Sequence, residues 1–173
     1  MIRMTLTQSK QVFITLDENV EYLETYLAME QLRFDDSFSY RCEVQEDIDR
    51  QDVLVPALMI QPLAENGIWH GLLNKEGEKN ITVRFSKTNE EISCVVEDNG
   101  IGINRSLQQK KDDRPAHQPV GLTNLRNRIA ILNEKYATCC SLEITDLTEH
   151  YGDRTGTRAV LRFNLLSNTT IML

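Results

Sequence analysis

The sequence predicts an α+β domain: a two-layer α/β sandwich with a mixed, mostly antiparallel sheet, helices on one face, and an additional helix near the N-terminus. Three observations predict it. Segments with two-residue alternation and segments with helical periodicity follow one another irregularly, whereas a doubly wound parallel sheet needs regular alternation. Two of the strands are separated only by a short polar turn, which makes a hairpin and therefore antiparallel pairing. The 173 residues suit one domain with a proper core plus an appended helix.

Residues 1 to 14 show no pattern and are expected to be a frayed start or a vector remnant. From Thr15 the chain turns helical. Thr15 or Asp17 can cap, and Leu16, Val20, Leu23 and Leu27 recur at helical spacing, with Phe34 in the same stripe. That stripe is either an amphipathic helix packing on its own domain or, since its spacing is also heptad-like, the last part of a dimerising hairpin. Ser37 to Val44 alternates Phe38, Tyr40, Cys42 and Val44, a half-buried strand. The acidic stretch Glu46 to Asp52 is a loop.

Val55 to Leu72, VPALMIQPLAENGIWHGL, reads as a helix with Leu58, Leu63, Ile68 and Leu72 as apolar contacts and Pro56 near its start. Pro62 inside it predicts a kink or a later start. Asn80 to Phe85 and Glu91 to Glu97 are strands joined by the turn Ser86 to Glu90, and the second ends in Asp98 before breaking into Gly100 and Gly102. Asn104 to Pro119 is polar, charged and without apolar period, a loop long enough to suggest function. Gly121 to Tyr136 is helical through Leu122, Leu125, Ile129 and Leu132, and Ser141 to Leu147 and Thr157 to Leu165 are closing strands.

Composition narrows the function. A net charge of -7 argues against nucleic-acid binding and against anionic membrane surfaces, which need a basic face. No apolar run approaches the roughly 20 residues that span a bilayer, and no signal-peptide pattern opens the chain. Cys42, Cys94, Cys139 and Cys140 have no metal-ligand spacing; reduced thiols are expected, with Cys94 a small core residue. Glu65, Asn66 and His70 share one side of the helix, and a polar helix face beside a strand-end acid and a Gly-rich turn describes a small-molecule pocket. His117 and His150 have no chemical partner visible in the sequence.

The same residues carry a family resemblance. Glu65-Asn66-Gly67-Ile68-Trp69-His70-Gly71 resembles the N box and Asp98-Asn99-Gly100-Ile101-Gly102 the G1 box of the GHKL (Bergerat, HATPase_c) ATP-binding fold of histidine kinases, gyrase, Hsp90 and MutL. Val120 to Arg128, VGLTNLRNR, resembles the G2 segment, and Gly156-Thr157 the Gly-Thr before the last strand. The Gln61-Pro62-Leu63-x-Glu65-Asn66 opening, with Tyr26 to Phe34 upstream, is similar to LytS-like sensor histidine kinases of bacterial two-component systems. The likeness runs from about residue 16 to about 165.

That resemblance implies three parts: residues 1–36, the end of a dimerisation and phosphoacceptor region; 37–167, the ATP-binding catalytic domain; and 168–173, a tail. It implies that Asp98 accepts a hydrogen bond from the adenine amino group, against the plain reading of a turn-forming Asp before Asn-Gly. Thr157 would support Asp98 and the ring, Gly100 and Gly102 would let the backbone approach, and Asn66 would offer Mg²⁺ its amide oxygen. Gly121, Leu122 and Asn124 would meet the triphosphate at a helix start, below a lid formed by the loop before them. His70 either donates to a phosphate or is structural. Glu65 orients a water or Asn66, polarises the nucleophile, or is a solvated acid. Of Arg126 and Arg128, two apart, only one can face the site.

Three departures stand out. Gly67 replaces a usual alanine, at up to about 1 kcal/mol of helix stability. Trp69 stands where relatives usually carry lysine, removing a phosphate counter-charge, and Pro119 stands where a lid glycine is expected. No histidine precedes His70, so the phosphoacceptor is missing. The resemblance thus implies the catalytic fragment of an inner-membrane sensor kinase, in the cytoplasm. It would use ATP and Mg²⁺ to phosphorylate a histidine of another segment for relay to a response regulator, as a homodimer in the full-length protein. The alternatives are a non-catalytic nucleotide-binding scaffold and an ATP hydrolase of the gyrase or Hsp90 type, the latter opposed by the missing transducer domain.

Overall fold

The computed structural model describes residues 11–106, 120–136, 138–148 and 154–167. Most of the expected lid with Pro119, together with His117, His150 and the 168–173 tail, lies outside them. A short strand β1 (Phe13–Thr15) leads into α1 (Leu16–Arg33), followed by β2 (Ser39–Val44), β3 (Val53–Pro56) and the short helix α2 (Gln61–Asn66), which continues as a π-helical turn (Gly67–Leu72). Then come the hairpin β4 (Asn80–Lys87) and β5 (Glu91–Asp98), helix α3 (Val120–Tyr136), β6 (Ser141–Asp146), β7 (Thr157–Asn164) and β8 (Leu166–Ser167).

The main sheet has the order β2-β4-β5-β7-β6, with β2 parallel to β4 and the other pairs antiparallel. This is the mixed, mostly antiparallel sheet that the sequence predicts. A second sheet, β1-β3-β8, was not foreseen. One core lies between the main sheet and the helices: Ile81, Phe85, Ile92, Leu161 and Phe163 from strands meet Leu63, Ile68, Leu72, Leu125 and Leu132 from helices. Each such buried side chain contributes about 2 kcal/mol. Cys94 is fully buried among them; Cys139 is exposed and Cys140 buried, pointing apart as neighbours before a strand do.

Thr15 is the cap of α1. Its hydroxyl accepts from Glu18 N at 3.2 Å while the Glu18 carboxylate accepts from Thr15 N at 3.0 Å, a reciprocal capping box. The apolar stripe packs on the chain's own β-strands and on α2, where Tyr22 Oη donates to Gln61 Oε1 at 2.8 Å.

Two expectations are corrected between residues 53 and 72. Val53–Pro56 is a strand buried along its length, not part of a helix, because β-branched Val53 and Val55 pair with β1 on one side and β8 on the other. Leu58, expected in the helix, has φ 56° instead. The helix starts late, at Gln61, with Pro62 in its first turn where no N–H is needed. After Asn66 the turn widens, and Leu73 N donates to Ile68 O at 3.0 Å, five residues back.

Candidate functional site

Strand β5 alternates, so Ile92, Cys94, Val96 and Asp98 all point toward the helices and an acid ends an apolar row. Asp98 is only 4% exposed. Burial pushes its carboxyl from the ordinary 3.8 up to about 7, against hydrogen bonds from the backbone of Gly100 (2.8 Å to Oδ1) and of Thr157; nearby Glu97 and Asp146 push it further up.

The π-helical turn lies directly on this carboxylate. A methyl on Gly67 would come within 3.0 Å of Ile81 Cδ1 and 3.3 Å of Asp98 Oδ2, so this glycine makes room for the acid rather than merely weakening a helix. The Gly100 backbone is pressed against the same turn, where a Cβ would lie 2.4 Å from the Gly71 carbonyl carbon. At Gly102, φ is 84°, and the space a Cβ needs is taken by Asp146. Asp146 accepts from Asn104 N at 2.9 Å and Thr148 N at 3.0 Å, fixing the Gly-rich turn from below.

Asn66 ends α2. Its Nδ2 donates to Pro62 O at 2.7 Å, which engages the donor side of the amide and leaves Oδ1 as an acceptor. The start of α3 comes against it, with the Cβ position of Gly121 3.8 Å from Asn66 Nδ2. A helix N-terminus and an amide oxygen thus stand together, a combination suited to a polyanion with a hard cation.

Between these walls opens a cleft with about 570 Å³ of empty space, the open solvent at its mouth included. Asn66, His70, Asp98, Gly102, Leu122 and Thr157 line it, as the sequence reading expects. Its apolar walls are Leu63, Val96, Ile103, Leu122, Ile144 and Ala159.

Other expected residues lie elsewhere. Glu65 is exposed and not a lining residue; its charge is felt at Tyr26, on the α1 side. Gly100 supports Asp98 from behind, and Asn124 is exposed outside the cleft. Arg126 is exposed and Arg128 half-buried, and neither lines the cleft. Trp69 faces α1, in contact with Phe34 and Arg33, so it does not occupy a phosphate-facing position within the cleft.

Sequence reading missed the lining residues Ser106, Ile144 and Ala159 and the support from Gly71 and Asp146. Ile144 pairs with Ala159 and Asp146 with Thr157 across β6 and β7. Given this register, the position of Thr157 fixes those of Ile144, Asp146 and Ala159. Among the described residues no cluster of His, Cys, Asp and Glu can hold a metal alone, and no helix is long and apolar enough to cross a membrane.

Residues 1–38 match the family model described as Histidine kinase, so the opening residues belong to a family segment and are not a vector remnant. Sensor protein LytS of Oceanobacillus iheyensis is 32% identical over 132 residues, 76% of this chain and 22% of that protein. Sensor histidine kinase/phosphatase LytS of Staphylococcus aureus is 38% identical over 104 residues, 60% of this chain and 18% of that protein. The chain therefore spans about a quarter or less of these relatives. Among solved structures, the mycobacterial sensor histidine kinase MprB superposes with TM-score 0.57 at 13% identity, covering 90% of this chain and 97% of that one. The catalytic domain of histidine kinase ThkA does so at 0.55 and 12%, covering 90% and 97%. At these identities the likeness establishes the fold.

Proposed function

We propose, from the premise that this chain belongs to the LytS-like sensor histidine kinases, that it is their ATP-binding catalytic domain and transfers the γ-phosphoryl group of ATP to a histidine on another segment. The observation that carries this reading is that Asp98 and Asn66 both line one cleft whose other lining residues are largely apolar.

In this reading the base lies among Val96, Ile103, Ile144 and Ala159, which exclude water from the Asp98 carboxylate. Asp98 accepts from the adenine amino group, and guanine, with an acceptor at that position, is refused. The phosphates run toward Asn66, His70 and the N-terminal end of α3, whose dipole favours negative charge. Asn66 Oδ1 and the phosphates are the donor set for Mg²⁺, a cation that takes few protein ligands; when bound it neutralises charge on the phosphates. His70 holds a phosphate oxygen. In this reading Glu65, exposed outside the cleft, acts on the incoming histidine. Transfer then depends mainly on position and electrostatics.

The acceptor histidine, a response regulator, dimerisation and attachment to an inner membrane with this domain in the cytoplasm are parts of the same proposal. The scaffold alternative rested on Trp69 and Pro119. Trp69 faces α1, so one of its two supports is removed. The test is a mixture of this chain, a separately made phosphoacceptor segment of a LytS-like kinase, and γ-labelled ATP with Mg²⁺. Label on the segment's histidine supports the kinase; ATP binding without transfer returns the scaffold.

A further inference from the structure

The π-helical turn presents its glycines to Asp98 and the opposite side to α1. On that side the Trp69 ring meets Phe34 edge-on, with centroids 5.1 Å apart and planes at 81°. The Arg33 guanidinium lies 4.9 Å from the Trp69 centroid and 5.8 Å from that of Phe34, and 3.7 Å from Glu30. The Trp69 side chain also lies close enough to Tyr26 to act on its hydroxyl. Behind this stack the Glu30 Oε2 is buried without a hydrogen-bond partner, and ring and cation contacts join the end of α1 to the π-helical turn.

A π-helical turn carries one residue more per hydrogen bond than an α-helix, and its rotation must be fixed from outside. Ile68 and Leu72 fix the core side. On the α1 side Trp69 does so, one residue from His70 and three from Asn66. We propose that Arg33 and Phe34 are positioning residues for the nucleotide site: acting through Trp69, the last turn of α1 sets how the π-helical turn presents Asn66 and His70 to the cleft. Nucleotide affinity then depends on a helix that touches no nucleotide, and a movement of α1 is felt as a change in that affinity. This rests on the nucleotide-binding reading above.

Trp69 is the only tryptophan of the chain, so its emission reads the stack directly. The experiment titrates Mg·ATP into the whole chain, followed by tryptophan emission and by calorimetry. The expected results are an emission shift at saturation in the wild type, and about tenfold weaker binding in Phe34→Leu and Arg33→Gln with an unchanged circular dichroism spectrum. Phe34→Tyr, which keeps the ring, restores wild-type affinity. Arg33 is 61% exposed in its side chain, so Arg33→Gln remains folded even if Phe34→Leu does not. Wild-type affinity in Arg33→Gln, together with altered Trp69 emission, overturns the inference while leaving ATP binding intact. No ATP binding by the wild type overturns the underlying reading and this one together.

Discussion

Gly71 and Asp98 touch so closely that a methyl group on Gly71 would sit 2.7 Å from Asp98 Oδ1 and 3.2 Å from its carboxyl carbon. The acid cannot swing away, because Gly100 N holds the same oxygen at 2.8 Å. The backbone of the π-helical turn therefore serves as one wall of the Asp98 site, and position 71 must lack a side chain.

Gly71→Ala should accordingly be overpacked. The expected loss is about 1–3 kcal/mol of stability, read as a lower thermal midpoint, with weaker ATP binding in calorimetry. Wild-type values for both would mean that the turn yields without disturbing the acid.

The titration of Asp98 gives two trends of opposite sign. Its folded value, about 7, lies above the ordinary 3.8, so the folded protein keeps a proton that the unfolded chain releases between those values. The stability this neutral acid contributes is complete below about pH 4 and is lost as pH rises through about 7. ATP affinity should run the other way and rise from about pH 6 to 8, because the ionised carboxylate is the stronger acceptor. Comparing wild type with Asp98→Asn across this range isolates both trends; identical pH profiles would remove Asp98 as their source.

Restoring a lysine at position 69 should not tighten ATP binding. The side chain there faces Arg33, Phe34 and Tyr26, and a lysine would lie on the α1 side, near Glu30 and its ion pair with Arg33, rather than in the cleft. Trp69→Lys is expected to lose the ring stack and, with it, some affinity. A clear gain in affinity would mean that residue 69 reaches the phosphates.

What was legible in the sequence follows from which elements are one-sided. β5 shows its alternation because one face of the main sheet is open to solvent, so Ile92, Cys94 and Val96 announce both the strand and the orientation of Asp98. β3 gives no such signal. Val53, Leu54 and Val55 are all buried, and a continuous apolar run before a helix cannot be separated from that helix by periodicity. The π-helical turn was equally hidden: ENGIWHG fits helical spacing, under which residue 69 falls near residue 66 on the ligand side. The wider turn carries Trp69 round to α1 and keeps His70 in the cleft. The Asp98 and Asn66 pair was readable through the box motifs. The close packing of Gly67 and Gly71 on Asp98 was not, since it depends on a contact between elements far apart in sequence.

Asn66→Ala should separate base recognition from metal-dependent phosphate binding. With Oδ1 gone, the Mg²⁺ dependence of ATP affinity is expected to flatten, while adenosine, which carries no phosphate, binds as in wild type. A Mg²⁺ dependence equal to that of the wild type would take Asn66 out of the metal site.

The most direct measurement of the central claim is a calorimetric titration of wild type and Asp98→Asn with Mg·ATP and, separately, Mg·GTP. The account predicts ATP binding by the wild type, little or no GTP binding, and at least about tenfold weaker ATP binding by Asp98→Asn in a protein that still folds. Equal ATP affinity in the two proteins would contradict it.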